Sequence, residues 1–500
     1  MVVQKNRTKI RIQKLLRDTF EATNKDRMEK FKPINDSQLF LLPPSVEDFV
    51  PQGHLARVID EVVEALDTTS IEQRYSDMGQ KSYHPKIILK LLIYGYSTGT
   101  VSGRKIAAKC ESDTAYMFLA SMYRPDFRTI NDFRKENLSF FKKCFVDVIK
   151  ICQQLKMVNV GSIAIDGTKI RANASVKRTK DREGYQKWLD RVEQQIQDII
   201  THAEHVNARE DQRYGDVRGD ELPKELQQKE KLKSKIQQAL NQLKDNEEKI
   251  NLTDGDAKMI KSKGRITTNY NCQGAVTEQG IIVSAYATNA ASDKEQLQPI
   301  IAQAEQNTGE VIATILADSG YASYDNYEAL ELQGKTAYIP DQEYDQQFER
   351  KQDPYDRSNF IYDAEQDTYT CPQGQKLVFT QLYSNKKKKQ KSRVYTTIAC
   401  AKCPVKNLCT KGKQRQIHRE FREHLREKAR ELLNSPLGQA QYLKRMYTIE
   451  PVWANIKHNK GIKMFSLRGK EKVNAEFLLH CLCHNISKIH QHKQLKKAAA

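Results

Sequence analysis

Ser162-Ile163-Ala164-Ile165-Asp166 decides the fold: three apolar residues, two of them β-branched, run into an aspartate followed by Gly167. That pattern predicts a buried strand ending at Asp166, and with it the start of a sheet domain near residue 161. Upstream, apolar periodicity in His54–Leu66 and in Lys86–Tyr96, with Pro125–Asn137 placing arginines beside a helix start, predicts helices over about 32–160. Residues 1–160 therefore form a helical amino-terminal domain.

Downstream the chain turns polar and helical over 181–250. Tyr185, Leu189, Val192, Ile196, Ile199, Ala203 and Val206 step by four and three, the spacing of a coiled seam. A second run, Leu226, Leu232, Ile236, Leu240 and Leu243, follows a break at Gly215–Asp220, which predicts an antiparallel helical hairpin inserted into the sheet domain. The sheet resumes with Asn269–Val276, a turn at Glu278–Gly280 and Ile281–Ala290, the grammar of a β-hairpin. Ser292–Glu295 spells a capping box ahead of a helix. A strand into Asp318, another helix and the strand Thr336–Pro340 complete the series. The order strand, hairpin, helix, strand, helix, strand predicts an α/β mixed sheet built from 161–180 and 251–345.

The 500-residue chain is 39% hydrophobic, too apolar for a disordered chain, and no apolar run is long enough to span a membrane. The amino terminus lacks the apolar core of a secretion signal, so a cytoplasmic location is expected. Lys plus Arg outnumber Asp plus Glu by 82 to 63, and a charge of +19 gathers polyanions, nucleic acid first among them. The excess gathers in Lys5–Arg17, Lys386–Arg393 and Lys457–Lys497; the plainer reading of any one run is a solvated face.

Three carboxylates stand where metal chemistry could use them. Two-metal cleavage of a phosphodiester needs hard oxygen ligands on both ions, and strand ends supply them. Asp166 closes the first strand and Asp318 a later, neighbouring one, while Glu450 would come from a helix beside that edge. Tyr442, Arg445, Glu450 and Lys457 fall on one broad helical face, and Pro451 is expected to kink or restart that helix. Singly, an Asp before Gly is more often a turn former. Asp293 could lie near the same edge, but helix capping explains it without chemistry.

Between Asp318 and Glu450 lies a basic insertion, 346–415, containing Cys371, Cys400, Cys403 and Cys409. Their spacing suits a four-thiolate structural Zn2+ site in a small loop-rich insert; the alternative is four ordinary reduced thiols. His480, Cys481, Cys483 and His484 point in different directions on a helix and are read as core or surface residues. Cys110, Cys144, Cys152 and Cys272 are read as buried small hydrophobes, and Trp453 as a packing residue.

The strings Ala164–Ser175 (AIDGTKIRANAS), Leu316–Ser323 (LADSGYAS) and YxxRxxxxExxxxxxK from Tyr442 resemble the signature of DDE transposases of bacterial insertion sequences, over nearly the whole chain. The resemblance implies a ribonuclease H-like sheet, with carboxyl-terminal helices over 416–490 carrying Glu450. It implies Asp166, Asp318 and Glu450 as catalytic ligands of two Mg2+ or Mn2+ ions, with Tyr442, Arg445 and Lys457 positioning DNA. It also implies cleavage at the element's terminal inverted repeats and strand transfer into target DNA, by a homodimer or higher oligomer working at the nucleoid. The competing readings are a catalytically inert DNA-binding descendant and a nuclease or resolvase on the same fold.

Overall fold

The computed structural model describes residues 45–75, 81–214, 224–245, 248–262, 264–346, 350, 352–385 and 390–499. The chain divides into two compact units, 1–48 and 49–500, and the architecture below belongs to the second. The basic run Lys5–Arg17, the break at Gly215–Asp220 and the first part of the run from Lys386 lie outside the described residues.

The described residues between 45 and 160 are largely helical, as their periodicity predicts. Helices α1 (Leu55–Glu64), α2 (Pro85–Ser97) and α3 (Leu138–Gln154) are accompanied by Gly103–Lys109, Thr114–Leu119 and Phe127–Glu136. Asp113 and Asp126 accept from backbone amides at the starts of two of these, satisfying donors a helix leaves open. α2 is apolar nearly all round and is buried over most of its length.

The central sheet is built from β1 (Ser162–Arg171), β2 (Lys258–Ser262), β3 (Arg265–Thr277), β4 (Ile282–Thr288), β5 (Thr314–Ala317) and β6 (Thr336–Tyr338). Its order is β2-β3-β1-β5-β6, with β4 also paired to β3. β1 pairs antiparallel with β3, from Ile163 opposite Thr277 to Arg171 opposite Asn269, and parallel with β5 from Ser162 opposite Thr314 to Ile165 opposite Ala317. β1 therefore does not end at Asp166 as its sequence suggests. Asp166 to Arg171 have no partner on β5, but the long β3 keeps their backbone groups bonded, so the strand continues.

The inserted hairpin consists of α4 (Arg182–Tyr214) and α5 (Lys224–Gln242). Tyr185, Leu189 and Val192 pack against Ile236, Ala239 and Leu243. Lys229 bonds Gln195 at 2.6 Å and Lys233 pairs with Glu193 at 2.9 Å, so the helices run antiparallel. At the base, Thr179–Lys180 pairs with Ile250–Asn251 and closes the insertion. α6 (Leu297–Thr308) and α7 (Tyr324–Leu332) connect the later strands.

The cysteine-bearing region is more than a loop-rich insert. β7 (Ile361–Asp363), β8 (Thr368–Thr370), β9 (Lys376–Asn385), β10 (Gln390–Thr396) and β11 (Ile417–Glu420) form a second, antiparallel sheet in the order β11-β10-β9-β8-β7. Phe360, Tyr369, Leu377, Tyr395 and Ile417 give it a core of its own. α8 (Glu423–Asn434) ties it to the main body: Arg419 on β11 grips Glu427 at 2.6 and 2.8 Å, and Arg430 grips Asp341 beyond β6.

α9 (Pro436–Ala454) continues through Pro451 instead of restarting there, and passes into a π turn over Asn455–Asn459. α10 (Lys470–Ala499) carries much of the basic tail, with Lys470, Lys472, Lys496 and Lys497 exposed and its apolar residues turned into the core. Phe477, Leu479, Cys481, Leu482, Cys483, Ile486 and Ile489 are fully buried, and Asn485 bonds both the N–H and the C=O of Ile282, at 2.9 Å each. His480 and His484 are also buried in this helix, in keeping with their reading as core. Cys110, Cys144, Cys152 and Cys272 are buried. No helix among the described residues is long and apolar enough to cross a membrane.

Candidate active site

Asp166 is the first residue of β1 past the last parallel pair, Ile165 with Ala317, and Asp318 is the first residue past β5. Register alone therefore brings the two carboxylates to one point of the sheet. The Asp318 carboxylate accepts from the Gly320 amide at 2.9 Å, which fixes it at the head of a 3-10 turn, Ser319–Tyr321. The Asp166 carboxylate accepts from the Gly167 amide at 2.9 Å. Burial and then the nearby Asp318 charge push the Asp166 carboxyl up to about 6, against the pull of Arg445.

Arg445 is the cation of this pocket. Its guanidinium lies 3.9 Å from the Asp166 carboxylate, with its side chain mostly buried. α9 holds it there by burying Ile449, Val452 and Trp453 against the sheet. Trp453 is a packing residue, as its sequence position suggests: the ring lies over Gly274, the β3 residue directly opposite Asp166. Tyr442 packs at the same core, 5.9 Å from the Arg445 guanidinium. Lys457 lies in the π turn, close enough to Cys272 to favour its thiolate, although burial dominates and keeps that thiol protonated.

Glu450 is exposed on α9, three residues before Trp453. No group of three or more His, Cys, Asp or Glu side chains closes into a metal cage among the described residues.

Asp293 departs from its expected role. It stands at the head of a 3-10 turn, Lys294–Gln296, without capping it through its side chain. Its carboxylate instead accepts from Asn271 at 2.6 Å, Gln273 at 2.7 Å and Lys169 at 3.2 Å. Asn271 and Gln273 stand opposite Lys169 and Gly167 in the β1–β3 ladder, so the carboxylate lies against the strand just beyond Asp166. A side chain at Gly167 would meet Gln273 at 2.7 Å and Asp293 at 2.9 Å, which is why glycine follows the aspartate. Tyr321, its ionisation suppressed by burial and by the three surrounding aspartates, donates to Gln273 and links this network to the Asp318 turn. The capping-box pattern concealed this arrangement, because the same Asp suits either role.

In the second sheet, Cys371, Cys400, Cys403 and Cys409 line one small pocket and none is in a disulfide. Burial raises the Cys409 thiol above its ordinary range, Arg415 opposes this, and the other three cysteines each add to the rise.

The site is a pair of neighbouring carboxylates at strand ends of a mixed α/β sheet, in a strongly basic chain. Residues 370–490 match the model of the family described as transposase DDE domain, and residues 44–136 that of the transposase domain DUF772. These two matches indicate a DDE transposase of an insertion sequence. The first match contains Tyr442, Arg445, Glu450, Lys457 and the four cysteines; Asp166 and Asp318 lie between the two matched stretches. No curated protein and no solved structure matches significantly.

Proposed function

We propose that the chain cuts DNA at the ends of its own element and joins the freed 3′ hydroxyl to target DNA, with Asp166, Asp318 and Glu450 as the acidic residues of the reaction. The observation that carries this reading is the register of β1 against β5, which sets Asp166 and Asp318 side by side next to Arg445. The strand order β4-β3-β1-β5-β6, read through the β3–β4 pair, supports a ribonuclease H-like sheet. Two neighbouring carboxylates, one of them raised to about 6 by burial and then by the charge of the other, form a donor set suited to a hard divalent cation. Mg2+ or Mn2+, two ions in the full site, would activate the attacking oxygen and stabilise the leaving one.

The chain's own residues prepare this. The Gly320 and Gly167 amides orient the carboxylates, and Arg445 offsets part of their charge until DNA arrives. Glu450 completes the set when bound DNA draws the exposed flank of α9 toward the sheet edge, and Tyr442 and Lys457 hold the backbone there. Two ends must be handled together, so the working form is a dimer or larger assembly. The test is Mg2+-dependent release and joining of a labelled duplex carrying the element's ends, with wild type beside Glu450→Gln. Both products are expected from the wild type and neither from the variant. Cleavage without joining would identify a nuclease, binding without cleavage an inert descendant, and full activity in Glu450→Gln would displace that residue from the set.

The four thiols around one pocket fit a structural Zn2+, which would draw them together and cross-link β8 to the segment after β10. One zinc per chain is expected by elemental analysis. Cys403→Ser should lose it and lower the melting temperature, with chelator doing the same to the wild type. Metal-free wild type of unchanged stability would leave four plain thiols.

A further inference from the structure

The inserted hairpin carries a feature that neither its seam nor its insertion explains. Gln228, Lys231, Lys235, Gln238 and Gln242 recur at steps of three, four, three and four along α5, all exposed, and line a single groove. The period places them on one face, about 21 Å long at the ~1.5 Å rise of a helix. The face turned to α4 is different: there Lys229 and Lys233 are engaged by Gln195 and Glu193.

Across the groove stand Arg178 and Arg468. Both are held in place through neutral partners. Arg178 donates to Thr253 at 3.3 Å, and Arg468 donates to the Asn173 carbonyl at 2.9 Å. Among the described residues no carboxylate lines the groove, and Lys231 and Lys235 have no acidic partner. The acids that flank the lining residue Gly255 are engaged elsewhere: Asp254 accepts from the Tyr270 hydroxyl at 2.8 Å and Asp256 from the Lys470 amide at 2.8 Å. Elsewhere this chain pairs many of its surface cations, including Lys187 with Glu183 on α4. Four unneutralised cations interleaved with amide donors make a surface for phosphate oxygens, not for apolar or cationic partners.

The groove is also joined to the acidic pocket by one strand. β1 runs from Asp166 to Arg171, and two residues further Asn173 holds Arg468. At ~3.3 Å per residue Asn173 is roughly 23 Å from Asp166, within one helical turn of duplex. The stripe itself matches roughly six phosphates of one strand at ~3.4 Å each.

We propose that this groove binds the phosphate backbone of duplex DNA, independently of sequence, beside the segment being cut. The inference rests on the DNA-cutting reading of the pocket for its location, but its test does not depend on cleavage. The full chain is titrated with a fluorescent 30-base-pair duplex of arbitrary sequence over a series of KCl concentrations. The wild type is compared with Lys231→Gln/Lys235→Gln and with a charge-matched control, Lys187→Gln/Lys233→Gln, whose lysines are already ion-paired. Loss of two phosphate contacts should lower the slope of log K against log salt by about 2, since each contact contributes ~0.9. Affinity at low salt should fall about tenfold or more in the groove variant and stay within about twofold in the control.

Equal slopes and affinities for groove variant and wild type would overturn the proposal while leaving the cutting site intact. An equal loss in the control would overturn it too, by showing a response to net charge alone. A wild type that binds no duplex at any salt would remove both the proposal and the DNA-cutting reading. Unchanged melting temperatures for both variants are expected, because the substituted lysines are exposed or half-exposed.

Discussion

Asp166→Asn is expected to make the metal-free protein more stable at pH 8 while abolishing strand cleavage. Folding buries Asp166 next to Asp318, and its carboxyl rises from an ordinary 3.8 to about 6. The folded state therefore binds this proton more tightly than the unfolded chain does. The resulting penalty is absent below about pH 4, grows between 4 and 6, and is complete above 6. At full ionisation the difference corresponds to ~3 kcal/mol, an upper figure because Arg445 stays behind unpaired in the variant. Denaturant melts in the presence of chelator at pH 4, 6 and 8 should show the gain opening as pH rises. Cleavage with Mg2+ should fall by a factor on the order of 10³ or more. Equal stability of variant and wild type at pH 8 would mean that the carboxylate is not held against its own ionisation.

Gly274→Val should fail in the opposite way, losing stability and activity together. A Cβ at this position would come within 2.5 Å of Trp453 Cη2 and 2.8 Å of Cζ2. The indole has no free space to yield into, since it is 6% exposed and rests 6.1 Å from the Phe477 ring. α9 must lift instead, carrying Arg445 and Glu450 with it. Overpacking of this kind costs ~1–3 kcal/mol, and a catalytic group displaced by about 1 Å loses on the order of 100-fold in rate. Trp453→Phe removes the colliding atoms, so Gly274→Ala/Trp453→Phe should recover part of the stability that Gly274→Ala loses. Full activity in Gly274→Val would show that α9 is not seated through this contact.

The sheet was legible because its strands obey local rules. Ile163, Ala164 and Ile165 are buried, so β1 is covered on both faces, the Glu278–Gly280 turn joins two complementary runs, and Asp318 follows the short strand Thr314–Ala317. The hairpin was legible for the same reason, its seam repeating at helical spacing. Three features escaped. Where β1 ends depends on β3, more than ninety residues away in sequence, and no local signal at Asp166 reports it. The second sheet mixes lysines, glutamines and aromatics on short strands that read as irregular chain, because its core of five residues is too small to impose a pattern. The rotation of α9 is set by Trp453 seating on Gly274, so a sequence that places Arg445 and Glu450 on one broad face does not foretell that the first is buried and the second exposed.

α10 has a consequence for synthesis. Asn485 completes the hydrogen bonding of Ile282, 203 residues earlier, and Cys483 reaches back to the Ile93 carbonyl, 390 residues earlier. Every strand of the central sheet leaves the ribosome before the helix that covers β4. Until Phe477–Ile489 emerge, the nascent sheet has an uncovered apolar face and the amino-terminal helices lack part of their shared core. Such wide separation of contacting partners slows folding, so a chain cut short before α10 would remain a client of chaperones and proteases. Assembly of the sheet around Asp166 and Asp318 thus waits until α10 has been made.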